Sequence, residues 1–180
     1  RPYILSVGGW KPRKGFEYSF AAFAEIKKKF PDLKYVVAGI TAKPHLTRPL
    51  GIADGTLFLK GIRWPFLKAI YRNAELFMLL PVNDRGDVEG FGFVFLEAAA
   101  AGLPVIGTLD SGAEDAVLER GNGFLVQPRD SGSAASAAAH ILGNVAMKKK
   151  FSAASLEFAK KMNWERVISR YSAVYKGFAR

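Results

Sequence analysis

The sequence predicts an α/β domain: a parallel sheet of six strands flanked by helices on both sides. Three observations predict it. Short apolar runs alternate with stretches of helical period along almost the whole chain. The runs are apolar throughout rather than alternating with polar residues, which is expected of strands covered on both faces. The chain has 180 residues, 49% of them apolar, enough for one domain with a substantial core and too few for two ordinary ones.

In chain order, Tyr3–Val7 reads as the first strand. Phe16, Phe20, Phe23 and Phe30 then recur at helical spacing, with Lys27–Lys29 on the wet side. Tyr35–Ala38 is a second strand ending at Gly39, and Leu57–Leu59 a third ending at Gly61. Between them, Thr41–Gly55 carries Pro44 and Pro49 and little periodicity, so a loop with at most one helical turn is expected. Leu67–Asn73 predicts a helix and Leu76–Leu80 a fourth strand stopped by Pro81. Phe93–Ala101 predicts a helix closed by Gly102. Val105–Ile106 and Phe124–Val126 complete the strands. From about Asp130 the chain reads as helical, with Asn163 capping a helix that starts at Trp164.

Composition excludes several chemistries. There is no cysteine, so no disulfide, thiolate metal site or cysteine nucleophile exists. His45 and His140 are the only histidines and lie far apart in sequence, so no metal site is expected. No uncharged apolar run approaches the ~18 residues a membrane span needs. The formal charge of +10 favours anionic partners without choosing among them. A basic turn at Lys11–Lys14 stands out. The triplets Lys27–Lys29 and Lys148–Lys150 fall in helical patterns and read as solvated faces. No aromatic-basic motif or compact basic stripe points to nucleic acid.

In parallel sheets, ligands gather at the carboxyl ends of the strands. The loop with the most chemistry there is Asp84-Arg85-Gly86-Asp87-Val88-Glu89-Gly90-Phe91-Gly92, which leads into an apolar helix. Glu97 is the only charged residue between Phe91 and Gly107. A carboxylate in that setting needs donors, which ribose hydroxyls or a backbone amide, Arg or Lys could supply. Gly90 and Gly92 permit close backbone approach, and the free amides of a helix start suit an anion; a tightly packed helix start is the plainer alternative. The opening loop Gly8-Gly9-Trp10-Lys11-Pro12-Arg13-Lys14-Gly15 adds three cations beside flexible glycines. It reads either as a phosphate clamp or as a solvated basic turn.

Taken together, these segments resemble the C-terminal, donor-binding domain of retaining GT-B glycosyltransferases, in glycosyltransferase family 4. The resemblance runs from Val7-Gly8 to Arg13-Lys14-Gly15, through Tyr71-Arg72-Asn73-Ala74-Glu75, to Glu89 and Glu97 with seven residues between them. It continues with Gly102-Leu103-Pro104-Val105-Ile106, Asn122-Gly123-Phe124-Leu125-Val126 and Trp164-Glu165-Arg166. It implies a Rossmann-like domain forming one half of a GT-B fold, spanning residues 1–180 and cut from a longer two-domain enzyme.

The resemblance also implies roles. Glu97 is the residue expected on the donor ribose. Glu89 is expected near the transferred sugar, with Lys14 and Arg13 neutralising the departing diphosphate. Backbone amides of Gly90, Phe91, Gly92, Phe93 and Val94, with Gly8 and Gly9, are expected around the sugar and phosphates, and Lys60 and Gly61 near the base. Gly9 stands where the family often carries Arg. The donor is expected to be a UDP- or GDP-linked sugar, with no cofactor or metal required. The acceptor is expected to be a glycan or lipid-linked glycan held by an N-terminal domain. A cytoplasmic location, peripheral to an acidic inner membrane face, follows from the same resemblance. The alternative is a non-enzymatic Rossmann-type module that binds a nucleotide or phosphoanion.

Overall fold

A computed structural model describes residues 1–178. All six strands pair in parallel: β1 (Tyr3–Val7), β2 (Lys34–Ala38), β3 (Thr56–Leu59), β4 (Leu76–Met78), β5 (Val105–Thr108) and β6 (Gly123–Val126), in the order β3-β2-β1-β4-β5-β6. The described helices are α1 (Phe16–Lys29), α2 (Pro44–Thr47), α3 (Trp64–Arg72), α4 (Phe93–Ala100), α5 (Ser131–Gly143), α6 (Val145–Lys161) and α7 (Trp164–Phe178). α1 packs on α5, and α4 packs on α6.

The helical spacing of phenylalanines builds the core on the α1 side. Phe16, Phe20, Phe23 and Ile26 are fully buried. Tyr35 of β2 packs edge-on to Phe20 at 5.9 Å and against Phe23 at 5.1 Å. Such ring pairs favour edge-to-face geometry, and truncating one buried Phe costs ~3–5 kcal/mol. Tyr35 keeps its buried hydroxyl satisfied on Ser6 Oγ at 2.6 Å, and Ser6 Oγ in turn donates to the Met78 carbonyl of β4. β1 is thereby tied to both neighbours through one small polar residue.

Several expectations are refined. α3 begins at Trp64, three residues before the helical period is evident, because Pro65 fits a first helical turn, where its missing N–H costs nothing. β4 ends at Met78, although Leu79 and Leu80 stay buried. Thr41–Gly55 holds the single turn α2 and also a 3-10 turn at Ala53–Gly55. β3 is not covered on both faces; it lies at the sheet edge and Leu57 is 54% exposed. Beyond Asp130 the chain breaks into three helices. Asp130, Asn144 and Asn163 cap them, each accepting from the amide three residues on, at 2.8, 2.9 and 2.9 Å. Lys28 and Lys29 are solvated as expected, whereas Lys148 reaches Glu75 at 2.5 Å and ties α6 to the start of β4.

α7 contributes nothing to the core. Trp164, Ile168, Tyr171, Tyr175 and Phe178 are all more than half exposed and recur at helical spacing along one face. No described helix is long and apolar enough to cross a membrane.

Candidate functional site

The strand order reverses between β1 and β4, because β1 runs on to β2 and β3 on one side while β4 runs on to β5 and β6 on the other. At such a reversal the loops leaving the two strands diverge and open a crevice. The opening loop after β1 and the loop after β4 meet there. Pro12–Lys14 forms a 3-10 turn that ends in Gly15, whose φ is +58°. A Cβ at Gly15 would lie 1.8 Å from the Leu80 carbonyl oxygen, so only glycine lets this turn sit against the end of β4. The Val82 amide then donates to the Arg13 carbonyl at 2.9 Å, joining the two loops by backbone.

Across that seam the charged side chains converge. Lys14 and Glu89 are both buried, and Lys14 Nζ stands 2.8 Å from Glu89 Oε2. Arg13 Nε lies 3.6 Å from the same oxygen and 3.5 Å from Asp87. These are ion pairs by distance but not aligned hydrogen bonds: Arg13 Nε and Glu89 Oε2 are buried without a well-directed partner. Two cations thus share one buried carboxylate, held by charge rather than by directed bonds.

The second wall is the start of α4. Its cap is Gly92, φ +72°, with no side-chain cap and no acidic residue in the first turn. The positive end of the helix is therefore left open to an outside anion. The approach loop is fixed from β5: the Gly112 amide donates to the Glu89 carbonyl at 2.8 Å, and a Cβ at Gly112 would fall 2.0 Å from the Gly90 carbonyl oxygen.

Glu97 occupies a different place. It lies on the second turn of α4 and is half-buried, and its Oε2 accepts from the Tyr71 hydroxyl of α3 at 2.7 Å. Burial and, after it, the nearby Glu97 charge push the Tyr71 hydroxyl well above its ordinary range, so it stays protonated and remains a donor. Among the described residues neither Arg, Lys nor a backbone amide partners Glu97; the tyrosine does.

The structure therefore brings together Lys14, Arg13, Glu89 and Asp87, with Gly8 against the Lys14 side chain and Gly90 to Val94 alongside. Gly9 is exposed, as are Lys60 and Gly61 at the end of the edge strand, two strands away from β1. Three participants were not foreseen in the sequence. Asp87 completes the charge cluster and Tyr71 holds Glu97. Lys43, from the loop after β2, places its ammonium 4.7 Å over the Trp10 ring, whose plane stacks on Phe16 at 5.8 Å. The Tyr71-Arg72 segment before β4 was the available signal for the second; the first and third depend on contacts between loops.

The family model of glycosyl transferases group 1 matches residues 1–158. The chain belongs to that family. It is 30% identical, over 80% of its length, to the GDP-mannose-dependent alpha-(1-6)-phosphatidylinositol monomannoside mannosyltransferase of Mycolicibacterium smegmatis, covering 39% of that protein. It is 33% identical to the corresponding protein of Mycobacterium tuberculosis H37Rv over 79% of its length, covering 38% of it. The chain spans about two fifths of the length of the curated relatives it matches.

Among solved structures, sucrose-phosphate synthase from Thermosynechococcus elongatus superposes with a TM-score of 0.82 at 25% identity, covering 98% of this chain and 45% of the other. The C-terminal domain of a group 1 glycosyl transferase from Francisella tularensis superposes with a TM-score of 0.74 at 23% identity, covering 89% of this chain and 85% of that domain. The Rossmann-like half of a GT-B fold is thus the fold of this glycosyltransferase-family chain.

Proposed function

We propose that this chain is the donor-binding half of a retaining glycosyltransferase that takes a sugar from a nucleoside diphosphate. The observation that carries the reading is the buried Lys14–Glu89 pair at the strand-order reversal, with Arg13 beside it and the open start of α4 facing it.

When the glycosidic bond to the diphosphate breaks, negative charge grows on the leaving phosphate. Lys14 and Arg13 would meet that charge, and the first amides of α4 would add their dipoles. Glu89 would stand next to the transferred sugar, released from Lys14 as the diphosphate takes its place. Glu97 would hold the ribose hydroxyls. Gly8 and the backbone from Gly90 to Val94 would line the sugar and phosphates, and Lys60 and Gly61 would approach the base. No step in this scheme calls on a metal. The relatives named for GDP-mannose and phosphatidylinositol support a GDP-linked sugar, within the expected UDP- or GDP-linked class, and a lipid-linked or glycan acceptor. The exposed apolar face of α7 supports a second domain packed against it, which would hold the acceptor. The +10 charge supports work beside an acidic membrane surface on the cytoplasmic side.

Calorimetric titration of UDP, GDP and ADP tests the reading. Weak binding of at least one, and no sugar transfer by residues 1–180 alone, is the expected outcome. Lys14→Ala removes a charge-assisted contact of ~1.5–3 kcal/mol and should weaken the diphosphate about ten- to a hundredfold while sparing the nucleoside. Glu97→Ala should weaken both. The absence of heat at millimolar concentration with all three nucleotides would sink the reading.

A further inference from the structure

Parallel strands are ordinarily covered on both sides, and β2 and β3 are covered on one. On the α1 side Phe20 packs against Tyr35 and Phe58. On the α3 side the register sets Val36 beside Leu57, and an open recess of about 440 Å³ lies over them, bounded by Tyr3, Leu59 and Ile70. α3 has only nine residues and does not reach across it. Leu57 is 54% exposed. Phe66 stands four residues before Ile70, hence on the same flank of α3, and is 66% exposed. The result is an unfilled apolar shelf at the sheet edge.

The rim of the shelf is basic. Arg1 and Lys34 line it, with Asp54 as its one acid. Lys34 Nζ donates to the backbone carbonyl of Asp54 at 3.0 Å, not to its carboxylate. α3 and its cap add Arg63, Lys68 and Arg72 and no acid. Among the described residues none of these five cations enters an ion pair. Five cations against one carboxylate call for an anionic partner. A second copy of this chain would bring like charges together across a two-fold axis and be repelled. A nucleic acid backbone would answer the cations and leave Leu57 and Phe66 in water. A bilayer with acidic headgroups answers both: phosphates meet the cations, and the exposed apolar side chains enter the boundary between headgroups and acyl chains.

We propose that this shelf, with the adjoining flank of α3, is the surface on which the chain docks to an acidic bilayer. Leu57 and Phe66 enter it, and Lys34 and Lys68 meet its headgroups. The proposal rests on the membrane-side part of the reading above and gives that membrane a defined face of the domain, well apart from the Lys14–Glu89 crevice in the chain of contacts: β3 is two strands from β1.

Co-sedimentation with vesicles tests it. The chain should bind phosphatidylcholine vesicles mixed with phosphatidylglycerol and not pure phosphatidylcholine, and binding should weaken as salt rises. Leu57→Ser with Phe66→Ser should lose about tenfold or more in affinity. Lys34→Glu with Lys68→Glu should also lose about tenfold or more, whereas Lys149→Glu with Lys150→Glu, the same change of net charge placed on α6, should stay within about threefold of the parent. All six positions are exposed or half-exposed, so each variant should melt near the parent, which calorimetry checks. Equal losses in the two charge variants would mean attraction by net charge alone and overturn the assignment of the face. Parental binding by the serine variant would overturn it as well, and so would a dimer in solution that the serine variant dissolves, since a second copy then fills the shelf. If the parent binds neither vesicle, this proposal falls while the donor-binding reading, which nucleotide titration tests, stands.

Discussion

Glu89→Gln removes a charge and almost nothing else, which makes it the sharpest probe of the crevice. Glu89 is 8% exposed and sits 2.8 Å from Lys14 Nζ. At an effective dielectric near 20, opposite unit charges at that distance attract by about 6 kcal/mol, most of it offset by the desolvation both groups have already suffered. Removing one partner of a buried pair costs ~3–5 kcal/mol, because the other charge is left uncompensated. Asp87 remains 3.5 Å from Arg13 and is half-exposed, so part of the compensation survives. We therefore expect a loss of about 2–3 kcal/mol, or a melting temperature lower by about 5–10 °C for a domain of this size. The second effect has the opposite sign. A diphosphate entering the parent must displace Glu89 from two cations; in the variant they are already free. Inorganic pyrophosphate should bind Glu89→Gln about tenfold tighter or more, a gain of ~1.4 kcal/mol. Differential scanning calorimetry with and without pyrophosphate reads both at once: the variant melts lower alone and is raised further by the ligand. A variant that melts lower and binds pyrophosphate no better than the parent would refute the idea that Glu89 occupies the anion's place.

Gly112→Ala tests the loop instead of the charge. Its Cβ would press on the Gly90 carbonyl, shifting Glu89–Gly92 at a cost of about 1–3 kcal/mol. Nucleotide titration should show binding lost in a protein whose far-ultraviolet spectrum is unchanged, and parental affinity would mean that loop is not used. Alkaline pH tests the core. Burial raises the Tyr35 hydroxyl from 10.0 to about 12, so between those values the folded protein holds a proton the unfolded chain has released. Stability then falls as pH rises, by about 1.4 kcal/mol per unit and up to ~3 kcal/mol by pH 12. Tyr71, shifted the same way, adds to the slope. Urea midpoints between pH 9 and 11 should fall less steeply in Tyr35→Phe; equal slopes would show that Tyr35 does not titrate as argued.

Much of this fold is legible in the residues because its strands are short, apolar and punctuated. β1 is readable to the residue, since Val7 is followed at once by two glycines. The start of α3 is hidden, because Trp64-Pro65-Phe66 has no polar face: Trp64 and Phe66 are both exposed, one on each side of the axis. The break between α5 and α6 rests on Asn144, whose capping bond depends on a backbone turn that periodicity does not encode. In the crevice, Lys14 and Glu89 are legible because each belongs to a loop at the carboxyl end of a strand, and parallel order alone places those ends together. Glu97 is legible as a carboxylate needing a donor, and Tyr71 is not legible as that donor. Its hydroxyl comes from a helix 26 residues earlier, and the pairing depends on how α3 packs beside α4.

The crevice is fastened by backbone pressed on backbone: Gly15 against the Leu80 carbonyl and Gly112 against that of Gly90. Both contacts exclude any side chain at the glycine, and neither involves the exposed tip from Asn83 to Val88. The tip hangs between two rivets. Side chains there can change without disturbing either glycine contact, except Asp87, which reaches back from the tip to Arg13.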